Sequence, residues 1–84
     1  MLFTCEGEQF DTQNLRRFET GSATEPAVYL TPDLTKVFVE IANGWTGPRI
    51  RRADLVEVRR LWRTYGIHEL RTTLKALQSD DDAA

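Results

Sequence analysis

The sequence predicts a single α+β domain, a small antiparallel β-sheet packed by two C-terminal helices. Three observations predict it. Apolar and polar residues alternate with a period of two over 27–42, apolar residues recur every three or four positions over 54–65, and Gly66 separates that stripe from a second one over 68–78. A chain of 84 residues is one domain, and its thin core leaves little stability to spare.

The elements follow in order. Leu2-Phe3-Thr4-Cys5 and Gln9-Phe10 flank Glu6-Gly7-Glu8, which predicts a short hairpin or a strand and turn. Asp11 can cap a short helix over 12–19, with Leu15 and Phe18 three apart on its buried side. Thr20-Gly21-Ser22-Ala23-Thr24-Glu25-Pro26 has the composition of a loop. Val28 and Leu30 alternate with Tyr29, and Val37, Val39 and Ile41 alternate with Lys36, Phe38 and Glu40. Pro32-Asp33 between them has turn chemistry, so 27–42 is the central hairpin, with Val37, Val39 and Ile41 on its inner face. Helices on one side of the sheet then bury that face.

Residues 43–48, Asn-Gly-Trp-Thr-Gly-Pro, break the strand. Asp54 and Glu57 have the capping-box spacing at the head of a helix over 54–65, whose stripe is Leu55, Val58, Leu61, Trp62 and Tyr65. Gly66 suits the left-handed end of that helix, the alternative being one long helix through Gly66 at a cost of about 1 kcal/mol relative to alanine. The last helix, 68–78, sets Leu70, Leu74 and Leu77 on one side, and Asp80, Asp81 and Asp82 form an acidic tail that frays into solvent.

Composition excludes several function classes. No apolar run approaches the ~20 residues that span a bilayer, so no membrane partner is implied. The N-terminus lacks a basic flank and a long apolar stretch, so a signal peptide is not expected. The single cysteine, Cys5, fits a reducing cytoplasm and reads as a small buried hydrophobe. One His and one Cys support neither a nucleophile–base pair nor a zinc site, and no glycine-rich phosphate loop occurs. The expectation is a protein without catalytic residues, cofactor or metal.

Charge is divided along the chain. Residues 1–48 carry −4, residues 49–79 carry +5 and Asp80, Asp81 and Asp82 carry −3, for a net −2. The basic segment holds Arg49, Arg51 and Arg52 ahead of the first long helix and Arg59, Arg60 and Arg63 along it. Arg60 has Glu57 three positions back. Arg59 and Arg63 meet no acid at three or four positions, and they face each other as like charges, which costs a few tenths of a kcal/mol. The helix dipole and acids of the N-terminal half can offset this internally, or an outside partner can. Trp45, between two glycines and near Arg49, either lids the thin core or joins the arginines at a contact, since Trp and Arg are enriched at binding hot spots. The expected partner surface is therefore Trp45, Arg49, Arg51, Arg52, Arg59 and Arg63.

Glu6-Gly7-Glu8-Gln9-Phe10-Asp11-Thr12, with Val28-Tyr29-Leu30-Thr31-Pro32 and Val37-Phe38-Val39, resembles small proteins of phage and mobile genetic elements. In those, a G-x-x-F-D-T start is followed by a Y-x-T-P hairpin. The shared motifs are structural turns and carry no functional residue across. The resemblance implies an inhibitor or adaptor that occupies a surface of a host complex, CRISPR machinery among them. The leading expectation is an interaction protein that docks on a protein or nucleoprotein complex. The alternatives are a nucleic-acid-binding regulator using the two basic C-terminal helices, and a homodimer formed through an exposed strand edge or apolar stripe.

Overall fold

The computed structural model describes residues 1–42 and 49–83, the last five as backbone alone. Strands β1 (Leu2–Cys5) and β2 (Glu8–Asp11) form a hairpin. Strands β3 (Arg16–Glu19), β4 (Ala27–Leu30), β5 (Val37–Ile41) and β6 (Arg49–Arg52) form a four-stranded antiparallel sheet in that order. Helices α1 (Leu55–Tyr65) and α2 (His68–Ala83) complete an α+β fold.

The first turn explains the first hairpin. Glu6 and Gly7 have φ of +53° and +80°, the pair of positive values that a two-residue hairpin loop needs to match the strand twist. Gly7 adopts this at no steric cost.

The helix expected over 12–19 does not form. Asp11 does cap, accepting from the Gln13 amide at 3.1 Å, but the capped element is a 3₁₀ turn, Thr12–Asn14, and the chain then extends into β3. The three-residue spacing of Leu15 and Phe18 suggested one helical face. In the structure these side chains go to opposite faces of the sheet. Pairing of Arg16–Glu19 with β4 overrides the local helical option.

The expected central hairpin forms, with Val28 opposite Val39 and Leu30 opposite Val37. Its turn is closed by the Leu34 amide donating to the Thr31 carbonyl at 2.9 Å. Asp33 ties the turn down, accepting from the Thr31 hydroxyl at 2.6 Å and from Thr35 through its amide and hydroxyl. Those bonds to the ionised form, the Thr31 hydroxyl foremost, hold the Asp33 carboxyl at about 2.

The helices cover one face of the sheet, as expected, and the N-terminal hairpin covers the other. Val28, Leu30, Val37 and Val39 pack against Val58 and Leu61 of α1 and Leu70 of α2, with Trp62, Tyr65, Leu74 and Leu77 at the margin. Ala27, Tyr29 and Phe38 point the other way and lie under the N-terminal hairpin. Phe38, fully buried, packs against the stacked pair Phe3 and Phe10 at ring separations of 5.1 and 4.7 Å. Each such buried apolar side chain contributes roughly 1.5–3 kcal/mol relative to exposure. The buried Tyr29 hydroxyl accepts from Arg17 and donates to Glu40 at 3.1 Å, so no polar group is stranded there.

Asp54 caps α1, its carboxylate accepting from the Glu57 amide at 2.9 Å. Gly66 ends α1 in the left-handed region, φ +64°, its amide donating to the Trp62 carbonyl. The helix break falls where the sequence places it. Helix α2 runs to Ala83, past the expected end near residue 78 and through Asp80, Asp81 and Asp82.

Candidate functional site

The arginines of the basic segment sort into two groups by what they touch. Strand β6 alternates its side chains, so Arg51 faces the helices while Ile50 and Arg52 face the N-terminal hairpin. Arg51 donates to Glu57 at 2.6 Å, and Arg52 donates to Glu6 at the tip of the β1–β2 turn. Both guanidinium groups are occupied, on opposite faces. Arg49 is exposed at the start of the same edge strand, and Trp45 lies outside the described residues.

Helix α1 continues the division. Arg60 donates to Glu57 at 2.7 Å and to both carboxylate oxygens of Glu25 at 2.8 Å. The Tyr65 hydroxyl leans on the same Glu25 carboxylate at 3.4 Å. Arg60 chiefly, with Arg51, holds the Glu57 carboxyl down at about 2. The expected capping box is thus half made. Asp54 caps the helix, while the Glu57 side chain binds the two arginines.

Arg59 and Arg63 have no carboxylate within ion-pair distance among the described residues. They stand one helical turn apart on the outer face of α1. With Val56, Arg60 and Thr64 they line a shallow groove, and Val56, one turn before Arg59, is 72% exposed. Val56, Arg59 and Arg63 recur at three and seven positions, a single line along the helix opposite the buried Val58 and Leu61. The local sequence explains why the line is open. Every acid on α1 or its cap is Asp54 or Glu57, and both are spent on the helix start and on Arg51 and Arg60.

The predicted surface is therefore split. Arg59 and Arg63 share one face, Arg51 and Arg52 are paired internally, and Val56 lies exposed beside Arg59, where residue-type reasoning did not place it. An apolar residue on the polar side of the α1 stripe was the available signal.

A second concavity lies between β2, the 3₁₀ turn and the β4–β5 turn, lined by Glu8, Phe10, Asp11, Leu15, Pro32, Asp33 and Lys36 among others. The Gln13 amide lowers the Asp11 carboxyl, and Thr31 and Thr35 lower Asp33. Both carboxylates are fixed in the ionised form, the reverse of what a general acid near neutral pH requires. Among the described residues, no group of three or more His, Cys, Asp or Glu is placed to hold a metal ion. No buried side-chain nitrogen or oxygen among them lacks a hydrogen-bond partner. No helix among them is long and apolar enough to cross a membrane.

Comparison with known proteins finds no matching family profile, no similar curated protein and no similar solved structure.

Proposed function

We propose that this chain is a non-enzymatic interaction protein that docks on a protein partner through the outer face of α1. One observation carries the reading. Arg51, Arg52 and Arg60 are each matched by a carboxylate of the same chain, whereas Arg59 and Arg63, one turn apart and preceded by an exposed valine, are not. Unrelieved like charges one turn apart cost the isolated helix a few tenths of a kcal/mol. A partner that supplies carboxylates recovers that cost and gains the fork geometry of arginine.

Two further features support docking over chemistry. Asp11 and Asp33 at the second concavity are held ionised by hydrogen bonds from neighbouring amides and hydroxyls, and among the described residues no buried side-chain nitrogen or oxygen lacks a hydrogen-bond partner. The turn motifs shared with small phage and mobile-element proteins fit the role of an inhibitor or adaptor on a host complex.

Affinity capture from cells that produce the protein tests this, with wild-type and Arg59→Glu/Arg63→Glu baits run in parallel. A partner retained by wild type and lost with the double variant supports the face. Equal retention by both baits, with both shown folded by circular dichroism, removes it.

A further inference from the structure

We infer that the element seated on α1 is an acidic amphipathic helix whose carboxylates repeat every four residues, with one apolar side chain at the end of that line. The inference rests on the docking reading above and specifies its partner.

The argument begins with spacing. Arg59 and Arg63 are four residues apart, so their stems rise from points about 6 Å apart along the α1 axis. Glu or Asp residues four apart on a second helix have the same rise. Two helices packed near +20° stay in register over a turn or two, so both ion pairs can form together. Val56 continues the line one turn before Arg59, 72% exposed and flat enough to seat a leucine or alanine.

The surroundings favour this occupant over a polyphosphate. A nucleic-acid backbone needs a continuous run of unneutralised cations. Here Arg60, next to the free pair, is already clasped by Glu25 and Glu57, so the unneutralised arginines of α1 number only two and make no such run. The exposed valine on the same line offers nothing to a phosphate and an apolar contact to a helix. A discrete anionic pair beside an apolar residue fits the face, and a uniform anionic rail does not.

Synthetic probes test it by fluorescence anisotropy on the full chain. The first is an alanine-rich helical peptide with one leucine followed by glutamates at four-residue spacing. The second has the same composition with the glutamates two residues apart, and the third is single-stranded DNA of similar length. The inference expects the first to bind roughly tenfold tighter than the second, a difference of about 1.4 kcal/mol. It also expects that preference to vanish in Arg59→Glu/Arg63→Glu and to shrink in Val56→Asp. Equal binding of the two peptides, tighter binding of the DNA, or sedimentation showing a second copy on this face each overturns it. If the probes fail to discriminate while the double variant still loses its cellular partner, the docking reading stands and the helical partner falls. If the cellular partner is retained, the docking reading itself falls.

Discussion

Nη2 of Arg60 lies 2.8 Å from both carboxylate oxygens of Glu25, joining the outer side of α1 to the loop before β4. That contact uses up the arginine that sits between Arg59 and Arg63 in sequence, and so isolates those two as the open cations of the helix. The pair is 41% and 21% exposed, which bounds its worth. A double-mutant cycle of Glu25→Ala and Arg60→Ala should give a coupling of up to about 1 kcal/mol, reduced by added salt. A coupling above that range would mean the loop is anchored by this contact alone.

Arg59 should be held at a small cost to stability. Arg59→Glu places an acid four residues before Arg63, the favourable orientation, and removes a like-charge pair. The single variant is expected to melt slightly higher than wild type, by a few tenths of a kcal/mol, while binding its partner less well. A lower melting temperature would show that Arg59 serves the fold.

Acid should weaken the fold through Glu57 and Asp33. Both carboxyls sit at about 2 in the folded chain, below their ordinary values of 4.5 and 3.8. The unfolded chain then binds more protons at low pH, so stability is intact above about pH 5 and falls as pH drops toward 2. Urea titrations across that window should show the decline, with a shallower slope in Glu57→Gln. An unchanged slope in that variant would locate the acid sensitivity elsewhere.

The buried Thr73 hydroxyl of α2 donates to the Leu34 carbonyl at 2.8 Å, holding a turn in which Leu34 itself has φ +61°. Thr73→Val keeps the shape and strands that carbonyl, for an expected loss of about 1–3 kcal/mol in chemical denaturation. A neutral result would mean water reaches the carbonyl.

Phe38→Ala should be far more damaging, since it empties the contact between the sheet and Phe3 and Phe10. The expected loss is about 3–5 kcal/mol, a large part of the stability of a domain this small. Protection of the β1–β2 amides in hydrogen exchange should collapse with it.

Much of this arrangement was legible in the residues. Turn and cap chemistry is local, so Glu6-Gly7, Pro32-Asp33, Asp54 and Gly66 could be placed from neighbours alone. The second layer was not. Phe38 alternates with Val37 and Val39 on a strand buried on both faces, and only the position of Phe3 and Phe10, far away in sequence, tells an inner from an outer aromatic. Strand β3 failed for the same reason, since its partner β4 is remote and its own spacing fits a helical turn. For the site, helical spacing identified Arg59 and Arg63 correctly as lacking local acids. Arg51 and Arg52, expected at the contact surface, have partners that local spacing does not reveal, since Glu57 reaches back to one and Glu6 reaches the other across 46 residues.

Photo-crosslinking from a reactive side chain placed at residue 56, in cells that produce the protein, tests the central claim most directly. The account predicts a discrete adduct from position 56, lost on adding Arg59→Glu/Arg63→Glu, and no such adduct from the exposed Thr4 of the hairpin. An adduct indifferent to the two arginines, or the same adduct from both positions, would contradict it.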